Sequence, residues 1–213
     1  MQFGRVRGLG FGFAVALVLA MTPVAAGASD ESSDESSAEQ YCQDQGGTPL
    51  EVQPYLFPES DNQVQLHGSM KVCQFISVED DNPTQLIVDL GTLYSEKPTL
   101  AGLAYLAQVP SSNSGPAGSN PAASYCPNDL GGTEQFGTSA TGAWVGDFDP
   151  GMEAGYSQPL GNTVDLCVFA DRSAISDFGI FYASESIYRG VNLSEVMRYQ
   201  PGSDTPDAFD TGS

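Results

Sequence analysis

The sequence predicts an α+β fold of two tandem small units, each a short helix plus antiparallel β-hairpins closed by one disulfide. Three observations carry this prediction. One pattern occurs twice: Tyr41-Cys42, then Gly46-Gly47-Thr48, then Cys73-Gln74-Phe75; and Tyr125-Cys126, then Gly131-Gly132-Thr133, then Cys167-Val168-Phe169. The four cysteines of the chain divide evenly between the copies. A third block trails each pair, Asp89-Leu90-Gly91-Thr92-Leu93-Tyr94 and Asp177-Phe178-Gly179-Ile180-Phe181-Tyr182.

From the start of the chain, Arg5 and Arg7 precede an apolar run from Leu9 to Met21, and Ala26-Gly27-Ala28 follows. A basic start, a short apolar stretch and a small-x-small end predict a secretory signal peptide over residues 1–28. The run is shorter than a membrane span needs. No cysteine adjoins the cleavage site, which argues against a lipid anchor. Residues 29–37 open the polar stretch SDESSDESSAE (Ser29–Glu39), too poor in apolar groups to order itself, and are expected to form an acidic disordered leader.

The first Cys-pair repeat is placed at 38–109 and the second at 120–200. A Ser/Gly/Pro-rich linker at 110–119 lies between them, and a disordered tail follows at 201–213. Each repeat opens with a short helix. In the second, Asn120 caps, Pro121 takes the first helical position, and Gly131-Gly132 stop the helix, with Pro127 an early kink or stop. In the first, Ser37 caps Ala38–Gln45, and Gly46-Gly47 stop it. Hairpins follow. Lys71–Val78 and Gln85–Leu90 pair across a turn in the first copy, and Val164–Ala170 and Ala174–Ala183 in the second. Leu100–Gln108 fits helix and strand equally.

Four cysteines allow three pairings. Export places them in an oxidising compartment, and duplication favours Cys42–Cys73 and Cys126–Cys167, so that each copy carries its own closure. Units of this size have marginal cores, and loop entropy assigns roughly 3 to 4 kcal/mol to each bond. No C-x-x-C is present, which argues against a redox or metal role for the thiols.

The motifs resemble a family of small exported bacterial domains that carry a haemolysin label and have no known function. Its members read Asn-Pro-Ala-Ser-x-Tyr-Cys, then Gly-Gly, then Cys-x-Phe. The second copy matches at Asn120-Pro121-Ala122-Ala123-Ser124-Tyr125-Cys126, Gly131-Gly132, Cys167-Val168-Phe169-Ala170-Asp171, Ser173-Ala174-Ile175, Asp177 and Phe181. The first copy lacks the Asn-Pro, and both have longer spacers between their cysteines. The resemblance implies two divergent tandem copies and no mechanism; a pore former needs a membrane-active segment, and none is found.

Composition excludes some partners. The chain carries 27 acidic and seven basic residues. Signal cleavage removes two of the basic ones and no acid, so the mature net charge is about −22, which repels nucleic acid and anionic lipid. The acids are spread along the chain, which favours a solubilising surface over cation binding.

No catalytic centre is legible, so an enzyme is not expected. The single histidine, His67, lies in a polar stretch with no nucleophile motif nearby. The turn Asp147-Phe148-Asp149-Pro150-Gly151-Met152-Glu153 makes Asp147, Asp149 and Glu153 a weak calcium candidate, although the full twelve-residue loop pattern is missing and an ordinary acidic turn is preferred. No other cofactor is expected. Trp144, Phe148 and Tyr156 are weak binding candidates in a Gly-rich spacer, against the alternative that they complete a small core. Asn192-Leu193-Ser194 fits a glycosylation acceptor, idle in a bacterium.

The expected function is a non-enzymatic secreted or periplasmic binding module. Its spacers, Pro49–Met70 and Glu134–Thr163, would meet an envelope or extracellular protein or glycan. An alternative is a secreted inhibitor of a protease or other hydrolase, and a second is a carboxylate-based hydrolase.

Overall fold

The computed structural model describes residues 31–57, 62–79, 82–112, 120–134, 142–147 and 163–202. The expected signal peptide, most of the linker and most of the tail lie outside them. In the first copy come α1 (Glu31–Asp44), β1 (Thr48–Leu56), β2 (Val64–Gln65), β3 (Met70–Glu79), β4 (Asn82–Asp89), α2 (Leu90–Tyr94) and α3 (Leu100–Ala107). The second supplies α4 (Pro121–Asp129), β5 (Thr133–Glu134), β6 (Gly142–Val145), β7 (Thr163–Val164), β8 (Leu166–Val168), β9 (Ala174–Ser176), α5 (Asp177–Ser184) and α6 (Leu193–Val196).

Both disulfides form within their own copy, Cys42–Cys73 and Cys126–Cys167. Each ties the opening helix to a central strand. The glycine pair before each first strand meets two separate demands. Gly46 and Gly131 end their helices at φ +83° and +67°, a left-handed conformation that a Cβ disfavours. Gly47 and Gly132 lie against the sulfurs. A Cβ on Gly132 would stand 2.6 Å from Cys167 Sγ and 2.9 Å from Cys126 Sγ, and one on Gly47 would overlap Cys73 Sγ.

The copies are not self-contained units, as the tandem reading expected. They share one sheet, ordered β5-β8-β9-β4-β3-β1-β6-β7, with β2 also on β1. All the pairings are antiparallel. The junction is symmetric. Cys73 pairs with Val88 and Cys167 with Ile175, so Val88 and Ile175 are equivalent, and they pair with each other. Flanking bonds repeat the symmetry: Ala174 N donates to Asp89 Oδ2 at 2.8 Å, and Ile87 N donates to Ser176 Oγ at 3.2 Å. Asp89 and Ser176 are thus equivalent, as are Ile87 and Ala174. A local twofold axis runs through the Val88–Ile175 pair.

Alternation along β3 and β4 sorts side chains onto two faces. Phe75, Leu86, Val88 and Ile175 join Leu93, Tyr105, Tyr125, Ile180 and Leu193 in a helix-covered core that spans both copies. Val72, Ile87 and Ala174 meet Val52, Trp144, Val164 and Leu166 in a second core. Interlocking continues at the C-terminal end. Tyr41 Oη donates to the Val196 carbonyl at 2.8 Å, and the Arg198 guanidinium lies 4.3 Å over the Tyr94 ring.

Four expectations change. Glu31–Ser37 is helical rather than disordered. Its Asp34 and Glu35 sit toward the positive end of α1, and Lys71 on β3 pairs with Glu35 at 3.3 Å and Glu39 at 2.6 Å. Ser37 is therefore inside α1 and does not start it. The strand expected over Ala174–Ala183 stops at Ser176, and Asp177 opens α5, because that segment's apolar residues face the shared core at helical spacing. Leu100–Gln108 resolves as a helix capped by Thr99, whose hydroxyl accepts from Gly102 N at 3.1 Å. The Asn120 cap and Pro121 stand as expected, and Pro127 does not end α4, which runs to Asp129. No helix among the described residues is long and apolar enough to cross a membrane.

Candidate carboxylate site

Glu134, Asp165 and Asp177 each place a carboxylate oxygen within 4.8 Å of the others'. Three elements supply them. Glu134 ends β5 and pairs with Cys167 in register. Asp165 stands between β7 and β8, and its carbonyl accepts from Asp177 N at 3.1 Å. Asp177 is the first residue of α5.

The placement of Asp177 follows from the symmetric junction. Ser176 is the cap residue of α5, but its hydroxyl is engaged by Ile87 N and makes no cap bond. Asp177 falls one position further along. Asp89, the residue it matched in the repeated motif, is itself the cap of α2 and accepts from Thr92 N (2.9 Å), Thr92 Oγ1 (2.6 Å) and Ala174 N (2.8 Å). Burial still raises the Asp89 carboxyl above its ordinary range, but those bonds oppose the shift. Asp177 has no such set. Its Oδ1 accepts from Phe178 N at 2.6 Å, and its Oδ2 is buried with no hydrogen-bond partner.

Three like charges this close repel. Even at 4.8 Å, the upper limit of their spacing, two charged carboxylates repel by about 3 to 4 kcal/mol at an effective dielectric of about 20. Burial first, then the Asp165 charge, with a smaller push from Glu134, raises Asp177 to about 8, against the pull of the Phe178 amide and of the Asn120 side chain. Burial and Asp165 push Glu134 up to about 7, and burial alone raises Asp165. Near neutrality the group retains protons that ordinary carboxylates have lost.

The register shows what is peculiar to the second copy. The first copy has no acid at the equivalent positions: Glu134 corresponds to Pro49, Asp165 to Lys71 and Asp177 to Leu90. A column-by-column comparison of the copies would have exposed all three. Aligning the two Asp-x-Gly motifs hid it, because that alignment is one residue out of register at Asp177.

The residues singled out from sequence are not brought together here. Asp147 is exposed after β6, and Asp149 and Glu153 lie outside the described residues. Trp144 is a core residue of β6, 6 % exposed against Val52, Val72 and Ile87, and not a surface recognition group; Phe148 and Tyr156 lie outside the described residues. His67 is exposed in a shallow groove with Gln53, Gln65 and Leu66. Asn192 caps α6, its Oδ1 accepting from Ser194 N at 3.2 Å and Ser194 Oγ at 2.8 Å, which accounts for the Asn-Leu-Ser pattern structurally. No family model, curated protein or solved structure matches the chain.

Proposed function

We propose that this protein is a non-enzymatic binding module of an oxidising, exported compartment, using its two inter-cysteine spacers as one composite surface for a protein or glycan partner. The observation that supports this is the pairing of the spacers with each other. β1 leaves β3 after Val52 and continues against β6, with Gln53 opposite Val145, Pro54 opposite Trp144 and Leu56 opposite Gly142. β2, from the first spacer, joins the same strand. Segments that did not align as copies therefore meet, on a frame held by two disulfides and a shared core. Phe57 and Val64 are each 49 % exposed there. The resemblance to exported haemolysin-labelled domains agrees with location and frame and adds no mechanism.

The test is site-specific photocrosslinking from the exposed position 63, beside Val64, in the mature protein in its native envelope and culture fluid. A reproducible adduct that disappears with Phe57→Glu/Val64→Glu, in a variant with both disulfides intact, supports the reading. Adducts unchanged by that variant, or none, count against it. Inhibition of a secreted hydrolase would favour the inhibitor reading instead. The carboxylate-hydrolase reading draws no support from the buried acids, since Asp177 is 1 % exposed and out of reach of a sugar or peptide, and of its own candidates only Asp147 lies among the described residues.

A further inference from the structure

We propose that Glu134, which opens the second spacer, together with Asp165 and Asp177 forms a binding site for one calcium ion, on grounds independent of the partner reading. Two observations point to it separately. The first is spacing. Calcium–oxygen distances are about 2.4 Å, so two ligands on opposite sides of one ion stand about 4.8 Å apart. The three carboxylates lie within that limit. The second is the buried Oδ2 of Asp177, which has no partner within hydrogen-bond geometry; the Asn120 side chain is the smallest of the influences on this carboxyl. Buried polar groups are nearly always partnered, and a buried carboxyl oxygen left unpaired is destabilising. A cation would remove both this deficit and the mutual repulsion.

The donor set selects the ion. All-oxygen carboxylate ligands suit calcium, magnesium or manganese rather than zinc or copper. Magnesium demands near-octahedral geometry and keeps most of its water, whereas calcium accepts irregular sets of six to eight oxygens. Acids held by a short strand, an inter-strand residue and a helix start form an irregular set. Three carboxylates supply three to six oxygens, and water supplies the rest. Exposure agrees: Asp177 is sealed from anything larger than an ion, while Glu134 and Asp165 are half-buried.

The experiment is calorimetric titration of the mature, disulfide-intact protein, stripped with EDTA, with calcium chloride at near-physiological salt. One ion per chain is expected, with thermal unfolding shifted upward by calcium. Asp177→Asn should weaken binding at least tenfold and abolish the calcium-dependent shift, while Asp147→Asn leaves both unchanged. If Asp177→Asn does not fold, Glu134→Gln and Asp165→Asn, at half-buried positions, carry the same test. No uptake by up to about 10 mM calcium, ten times the weak end of extracellular modules, overturns the proposal. Uptake that survives all three substitutions does so too.

Discussion

Gly47→Ala and Gly46→Ala, neighbouring and chemically identical changes, should destabilise for different reasons. A Cβ on Gly46 meets nothing within 4 Å, but φ is +83°. The cost is conformational, about 1 to 2 kcal/mol. A Cβ on Gly47 overlaps Cys73 Sγ and stands 2.9 Å from Phe75 Cε1 and 3.0 Å from Cys42 Sγ. Neither sulfur can retreat, because each is bonded to the other and anchored on α1 or β3. Overpacking of this kind costs about 1 to 3 kcal/mol, and the upper end applies where the neighbours are cross-linked. At about 2 to 4 °C per kcal/mol for a chain of this size, Gly47→Ala should lower Tm by about 6 to 12 °C. Urea unfolding of the oxidised proteins measures both. The decisive step is a double-mutant cycle with Cys42→Ala/Cys73→Ala. Removing the sulfurs should relieve most of the Gly47→Ala penalty and leave that of Gly46→Ala unchanged. A Gly47→Ala penalty that persists without the sulfurs refutes the clash. Gly132 with Cys126 and Cys167 offers the same cycle in the second copy.

Without calcium, the carboxylate group makes stability fall with rising pH. Asp177 and Glu134 have folded values of about 8 and about 7, above their ordinary ones, so between roughly pH 4 and 8 the folded state binds more protons than the unfolded chain. Their contribution is fully present below that window and lost through it, and melts in EDTA from pH 5 to 8.5 should show a declining Tm that Asp177→Asn flattens. A flat wild-type profile contradicts this. Asp89→Ala removes the acceptor for Thr92 N, Thr92 Oγ1 and Ala174 N and should cost about 2 to 4 kcal/mol in urea unfolding, since it uncaps α2 and opens the junction together; a cost below about 1 kcal/mol would show the junction does not depend on it. Ser176→Asp/Asp177→Leu rewrites the second copy as the first and should retain the fold, raise Tm in EDTA and lose calcium uptake; unfolding of this variant would contradict the equivalence of the two junction positions.

Much of the frame was legible because it is local. Cysteine pairing followed from duplication, and Asn120, Pro121 and the glycine pairs followed from cap chemistry. The β3–β4 hairpin followed from β-branched residues flanking a turn. What was not legible is tertiary. Ala174–Ala183 carries strand-like apolar residues, and only packing against α4 and the shared core decides that Phe178, Ile180 and Phe181 sit on a helix. Glu31–Ser37 looked too polar to order, but α1 is fixed downstream by Cys42 and by Lys71 on β3. Trp144 could not be assigned to a core before β6 was known to pair with β1, a contact between the two copies. The carboxylate site was hidden for a related reason. Its members are 31 and 12 residues apart in sequence, among 27 acids, and only the strand register brings them together.

The symmetric junction shows why this site belongs to one copy and not the other. Each copy must place a side-chain oxygen beside the twofold axis to receive a backbone N–H from the other. Asp89 does this on one side and Ser176 on the other. Asp89 can also cap its helix because a carboxylate has two oxygens, enough for both tasks. Ser176 has one, so α5 starts without a side-chain cap. Asp177, one position later, is at the place where the first copy has the apolar Leu90. As scaffold, an apolar residue there would be the better choice, because it would fill the same space without a buried charge. The acid gains nothing from the junction, and the other copy shows that the junction does not need it. Lys71 and Pro49 make the same point for Asp165 and Glu134: three register-matched positions are non-acidic in the first copy and acidic in the second. Chance acidity in a chain with this composition would scatter such differences over exposed positions rather than gather them around a residue sealed from solvent. A requirement for positive charge at that point accounts for the gathering, and Leu90, Lys71 and Pro49 show that the first copy holds its half of the sheet without acids there.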